Sequence, residues 1–211
     1  MFHRIRTATV IAAIGALTVL TACSPPANDE DALPGSDSNV AAKDTKKVDV
    51  SAISPLVSPV PSCKDYADAF GSLIADLQPK PSAFEKRSQS GGAEVVTCNY
   101  VNKEYVAKAD GAATLTFEIR AAKISAESYE ADKSATDLII AGSPAEADGG
   151  KAFAVGTAAT PTSTLGKDGV ISVFDGLAVL TTLNAPKGST FEPTVTQVLE
   201  VQDAVYKQLK G

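Results

Sequence analysis

Apolar and polar side chains alternate regularly over residues 114–121, where apolar residues such as Leu115 and Phe117 are each followed by a polar one. This period of two predicts a β-strand with one buried face. Residues 94–101 precede it and predict the neighbouring strand. The link between them, residues 102–111, is polar and predicts an exposed hairpin loop.

Two further apolar runs, residues 170–174 and 177–183, flank the dipeptide Asp175-Gly176. Asp-Gly between two β-rich runs is typical of a two-residue turn and predicts a type I′ hairpin. Residues 152–155 predict one more short strand.

Three stretches have the three-to-four-residue apolar spacing of helices with one buried face. They run over residues 62–78, 125–140 and 190–209. Ser62, Ser125 and Thr190 are suitable N-caps, and Pro79 ends the first helix. Taken with the strands, this pattern predicts an α+β fold, an antiparallel sheet of four to five strands packed by two to three helices.

The beginning of the chain has a different pattern. Arg4 and Arg6 precede an apolar run over residues 7–20, and small residues lie before Cys23. This is the layout of a secretory signal. A membrane span needs about 20 apolar residues, so a signal-anchor is the weaker alternative.

The tetrapeptide Leu20-Thr21-Ala22-Cys23 resembles the bacterial lipobox. The resemblance implies that a lipoprotein signal peptidase cuts before Cys23, which carries a thioether-linked diacylglycerol and can be N-acylated. It also implies attachment to the cell membrane, on its extracytoplasmic face. Two or three acyl chains suffice for stable attachment.

This interpretation divides the chain into three parts. Residues 1–22 are a signal peptide, residues 23–61 are the lipidated cysteine with a flexible tether, and residues 62–211 are a single α+β domain. The tether is rich in Ser, Pro and Asp, a composition that does not bury enough apolar surface to fold. Its last part, residues 48–61, carries more Val and Leu, and we expect it to lie extended along the domain.

Composition excludes some partners. The net charge is −6, and removal of residues 1–22 takes away Arg4 and Arg6 but no acidic residue, which leaves −8. An acidic chain without a basic stripe is a poor candidate for binding nucleic acid, so no nucleic-acid partner is expected. The single histidine, His3, also leaves with the signal. We therefore expect no metal site and no cofactor.

Two cysteines follow Cys23, namely Cys63 and Cys98. In an exported protein an even pair favours a disulfide. Two free thiols, or half of a metal site, are the alternatives. A bridge would connect the start of the first predicted helix to the first predicted strand.

The lipobox, the Pro/Ser tether and this pair of cysteines resemble the small lipoproteins of unknown function found in actinobacteria. The resemblance covers residues 62–209, and its specific marks are Cys63, Cys98 and the strand at 114–120. It departs from that family at Asn99, where an aromatic residue is common. Some such domains are similar to the PsbP-like fold, which implies binding and assembly roles.

Motifs for catalysis are missing from the sequence: there is no Ser-x-x-Lys, Gly-x-Ser-x-Gly, His-Glu-x-x-His or Cys-x-x-Cys. The leading hypothesis is therefore a non-catalytic, lipid-anchored binding or accessory module that engages an envelope protein or other envelope component. The first alternative is a small-molecule or lipid carrier, which needs a pocket of at least about 300 Å³ between sheet and helices.

The second alternative is a hydrolase with a carboxylate pair. The candidate carboxylates are Glu118, Glu127, Glu130, Asp132 and Asp137, for which a solvated acidic surface is the simpler interpretation. The aromatic residues Tyr100, Tyr105 and Phe117 either line a binding groove or pack in the core, and core packing is favoured.

Overall fold

The computed structural model describes residues 48–102, 112–132, 138–157, 159–187 and 189–211. Within these ranges the fold is α+β, as predicted, with one antiparallel sheet of eight strands and three α-helices. The strands are β1 Leu77–Pro79, β2 Glu85–Ser90, β3 Ala93–Asn102, β4 Thr114–Ala121, β5 Leu138–Ile139, β6 Lys151–Ala154, β7 Val170–Phe174 and β8 Leu177–Asn184. The helices are α1 Ala67–Phe70, α2 Ala126–Asp132 and α3 Val195–Lys210.

The strand order is β1-β3-β4-β8-β7-β6-β5, and β2 also pairs with β3. β2 runs beside the first half of β3, from Ala93 to Cys98, while β1 runs beside its end, from Tyr100 to Asn102. The predicted count of four to five strands is too low. The three missed strands, β1, β2 and β5, lie at the edges and are too short or too polar to show apolar alternation.

The first face of the sheet is covered by α1 and α3, and the main core lies there. Phe70 of α1 stacks on Phe117 of β4 with ring centroids 4.1 Å apart, and Phe174 of β7 stacks on Tyr206 of α3 at 4.0 Å. Gln202 is fully buried in this core. Its side chain bonds to Ser172, to Thr181 and to the Val170 carbonyl, so its polar atoms are paired.

The second face is covered by α2 at one end. Tyr129 of α2 packs on Phe153 of β6, with ring centroids 4.8 Å apart. A smaller apolar cluster forms around this contact, from Phe153, Ile171, Val173 and Ala178. β7 and β8 therefore carry apolar side chains on both faces, which explains their continuous apolar runs.

The first predicted helix is wrong in extent. Ser62 does bond to Asp65 through its backbone N–H and its hydroxyl, as in a helix start. However, α1 ends at Phe70, because Gly71 adopts a φ of 47° and redirects the chain into a turn of 3-10 helix, Gly71–Ile74. Leu77 then joins the sheet beside β3.

The other two helices start where a side chain caps them. Ser125 caps α2 as predicted, since its hydroxyl accepts the Ser128 N–H. The described part of α2 ends at Asp132, and residues 138–139 form β5 instead of the predicted helix end. α3 begins after Thr194 and not after Thr190, because Thr194 forms a reciprocal capping box with Gln197.

The β7–β8 hairpin is confirmed as a two-residue turn, with Phe174 opposite Leu177. The predicted type I′ geometry is wrong, because Gly176 has a φ of 80° while Asp175 is not in the positive-φ region. Tertiary contacts hold this turn. The Gly176 carbonyl accepts the N–H groups of Leu56 and Ala122.

The segment over residues 48–61 packs along the domain, as expected for the last part of the tether. Val60 is buried in the main core, and its carbonyl accepts a hydrogen bond from Arg87 at 2.8 Å. Packing thus extends N-terminally past the predicted domain start at Ser62. The predicted signal peptide and the part of the predicted tether from Cys23 to residue 47 lie outside the described residues.

Candidate functional site

Two adjoining depressions on the second face form the candidate site, which we call the trough. The inner depression has a volume of about 210 Å³, and its apolar lining consists of Ile124, Tyr129, Val155, Ile171, Ala178 and Leu180. The outer depression has a volume of about 550 Å³ and is lined by residues that include Val48, Val50, Gly91, Ala93, Lys123 and Asp132. Arg120, Ile124 and Tyr129 line both depressions, so the two meet there.

Strand alternation produces the floor of the trough. Leu177 and Val179 of β8 point into the main core, so Ala178 and Leu180 point to the second face. Ile171 lies opposite Leu180 on β7 and extends the same apolar row. The sequence of β8 is apolar at consecutive positions, so that both of its faces are apolar. This feature could have predicted a second apolar surface on the sheet.

The connection from β4 to α2 places the wall of the trough. The Gly176 N–H donates to the Ile124 carbonyl at 2.9 Å, which ties this connection to the hairpin. The Ser125 cap then starts α2, so that Tyr129 lies over the sheet one turn later. One tertiary hydrogen bond and one local helix cap therefore position the start of α2, which forms the wall of the site.

Charged groups border the apolar floor. Arg120 donates to Glu118 at 2.8 Å on β4, and these residues lie beside Ala178 and Leu180 of β8. The Arg120 side chain is 44% exposed. Farther along α2, Glu130 accepts a hydrogen bond from Lys151 of β6 at 2.6 Å. This hydrogen bond raises the pKa of Lys151.

The structure separates the candidate carboxylates. Glu118 lines the inner depression and Asp132 the outer one, whereas Glu130 is paired with Lys151. Glu127 lies in the first turn of α2 and is exposed. Asp137 lies outside the described residues. No cluster of three or more metal-ligating side chains occurs among the described residues.

Two of the three aromatic candidates, Tyr100 and Phe117, do not line a groove. Tyr100 and Phe117 are buried in the main core, where their rings pack edge-to-face at 6.2 Å. Core packing is therefore confirmed for both residues. Tyr105 lies outside the described residues.

The predicted disulfide between Cys63 and Cys98 is present, with both cysteines fully buried on the first face. The Glu85 carboxylate accepts the Cys63 N–H at 2.8 Å, and this bond lowers the pKa of Glu85. The bridge connects the turn before α1 to the centre of β3. The bridge therefore lies in the main core and links the N-terminal turn to the sheet.

A second cleft, of about 410 Å³, lies between the turn after α1 and the start of α3. Leu73 and Phe191 supply its apolar surface, and Glu192 and Glu200 make it acidic. Sequence reasoning missed this cleft, because the residues that form it come from two elements 120 positions apart along the chain.

None of the helices in the described ranges combines the length and apolar character needed to cross a membrane. Comparison with known proteins gives no match to a family model, to a curated protein or to a solved structure.

Proposed function

We propose that this protein is a lipid-anchored, extracytoplasmic binding module that performs no catalysis, and that the trough is its ligand-binding surface. One observation carries the proposal. The first face of the sheet is covered by α1 and α3, while the second face has a concave surface lined by buried and half-buried apolar side chains. Exposed apolar concavities are typical of binding sites.

The sequence supports the anchor. The signal pattern over residues 1–22, followed by Cys23 in a lipobox-like tetrapeptide, favours lipidation at that cysteine. The Ser-, Pro- and Asp-rich composition that follows Cys23 favours a tether to the folded domain. The buried Cys63–Cys98 bridge suits an oxidising compartment outside the cytoplasm.

The chemistry of the charged residues supports a binding role over a catalytic one. Glu118 and Glu130 are engaged by Arg120 and Lys151, and no histidine follows the proposed cleavage site. The ion pairs therefore organise the surface around the trough.

Intact-mass analysis tests the anchor. We expect the natural chain to lack residues 1–22 and to carry acyl chains on Cys23, whereas Cys23→Ala keeps its signal and gains no acyl mass. Cys63→Ala is the matched control, because it removes a cysteine without removing the lipobox. Acyl mass on Cys23→Ala would contradict the proposal.

Thermal unfolding tests the binding role. A ligand that binds only the folded state raises the unfolding temperature. We expect an extract of the cell envelope to raise it for the natural chain and not for Leu180→Gln, which places an amide on the trough floor. Equal shifts for both chains would exclude the trough as the binding surface.

A carrier of lipids or small molecules is the second candidate, and the trough volumes favour it. The two depressions, of about 550 and 210 Å³, together reach the size of ordinary ligand sites. The two functions differ in what stabilises the chain. A carrier responds to the organic-solvent extract of the envelope, and a protein-binding module responds to the protein fraction.

A further inference from the structure

We propose that the trough binds a single-chain anionic lipid, with its acyl chain on the apolar floor and its headgroup at Arg120 and Lys123. This inference rests on the proposed function and names the class of ligand. Three observations carry it: the apolar inner depression, the cations where that depression opens, and the position of Val48 at the outer end.

The inner depression suits one acyl chain. Its floor consists of Ile171, Ala178 and Leu180, and Ile124 and Tyr129 form its wall, so that its surface is mainly hydrocarbon. A volume of about 210 Å³ is below the range of compact drug-sized ligands, which starts at about 300 Å³. It accepts the end of one narrow chain, and the outer depression leaves room for the rest.

The charges suit an anionic headgroup. Arg120 lies where the two depressions meet, and Glu118 engages one of its terminal nitrogens. A guanidinium has five N–H donors, so others remain for a phosphate. Lys123 is exposed in the outer depression and forms no ion pair within the described ranges. The Asp132 carboxylate lies in the same depression and disfavours an anion at that end.

The length of chain between the proposed anchor on Cys23 and Val48 limits the distance of this site from the membrane. Val48 and Val50 line the outer depression, and 24 residues lie between Cys23 and Val48. Even a fully extended chain of that length spans at most about 80–90 Å. A lipid anchor on Cys23 therefore keeps the open end of the trough within reach of the bilayer that would supply the lipid.

Photocrosslinking tests this inference on the full acylated chain in membrane vesicles. The probe is a lysophosphatidylglycerol with a diazirine in its acyl chain, and the adducts are located by peptide mass spectrometry. We expect adducts on the peptides that contain Ile124–Tyr129 and Leu177–Leu183. We also expect competition by unlabelled lysophosphatidylglycerol, and weaker competition by a neutral monoacylglycerol.

Two variants and a control sharpen the test. Arg120→Gln removes an exposed cation without changing the core, and it should lower labelling about tenfold, the effect of losing one charge-assisted hydrogen bond. Leu180→Gln should lower it by a similar factor. Leu138→Gln is the control, because Leu138 is an exposed leucine on β5 outside the trough, and its labelling should not change.

Several outcomes would overturn the inference: adducts spread over the surface, equal losses in Leu138→Gln and Leu180→Gln, equal competition by the neutral lipid, or crosslinks from the trough to a protein. The last outcome leaves the proposed binding role intact and replaces the ligand. Failure of the proposed function itself would be seen separately, as absence of acyl mass on Cys23.

Discussion

The two faces of the sheet are built from the same strands but packed to different degrees. On the first face, α1 and α3 bury two stacked aromatic pairs, a disulfide and a fully paired glutamine. On the second face, α2, whose described part is Ala126–Asp132, covers one end and leaves Leu180 and Val155 half-buried. The difference teaches that stability resides mainly on the first face, which leaves the second available for a ligand.

The largest expected effect is loss of a ring from the first face. Phe117→Ala removes the partner of Phe70 and leaves a cavity in the core, so unfolding should become easier by about 3–5 kcal/mol. The neighbouring Thr116→Ala changes the opposite face of the same strand and should cost less than about 1 kcal/mol. Denaturant titration measures both, and equal losses would remove the distinction between the faces.

Loss of the bridge comes next. Replacing Cys63 and Cys98 together by serine opens a link between residues 35 positions apart, which should cost about 3–4 kcal/mol in the chain-entropy model. The reduced natural chain is the control and should unfold at a similar denaturant concentration. An unchanged midpoint would show that the first face does not depend on this bridge.

The buried glutamine gives a smaller effect. Gln202→Leu leaves the hydroxyls of Ser172 and Thr181 without their partner, so we expect a loss of about 2–3 kcal/mol. Gln208→Leu on the same helix is the control, because the Gln208 side chain donates to the carbonyl of Asp65, an exposed residue. Stability that is equal in both variants would contradict the proposed role of the network.

A tyrosine on the first face predicts a pH dependence. Burial raises the pKa of Tyr66, whose hydroxyl has no hydrogen-bond partner among the described residues. Above pH about 10 the unfolded chain ionises this group while the folded chain holds it neutral, so stability falls as the pH rises. Tyr66→Phe should be as stable as the natural chain at pH 7 and should lose less stability at pH 11, measured by thermal unfolding.

The smallest effect on stability is expected on the second face. Leu180→Ala should cost about 1 kcal/mol, because this side chain is only half-buried, yet it removes part of the trough floor. Calorimetry measures the stability, and the lipid probe measures binding. A large loss of stability without loss of labelling would reverse the roles assigned to the two faces.

Local patterns predicted the centre of the sheet well. β4 and β7 have the predicted bounds, and β3, β6 and β8 differ from their predictions by one residue at one or both ends, because central strands carry a strong apolar signal. The edges were not predicted. Gly71 ends α1 early, and residues 77–79 and 138–139 pair with the sheet despite a helical spacing, since tertiary pairing overrides weak local preference.

The candidate site was only partly predictable. Glu118 and Asp132 were identified as candidates, but as possible catalytic carboxylates, and they lie in different depressions. Ile124, Val155 and Leu180 carried no separate signal, because apolar residues in a short run are indistinguishable from core residues until the covering helix is known. Whether α2 covers a given strand depends on contacts between residues that are far apart in the sequence.

The sequence by itself determined the α+β class, the cysteine pairing and the central strands, because these depend on composition and on periods of a few residues. Only the tertiary structure decided the turn geometry at Gly176, the early end of α1 and the position of the trough. Each of these depends on contacts between distant segments, such as the bond from the Leu56 N–H to the Gly176 carbonyl, which no local pattern specifies.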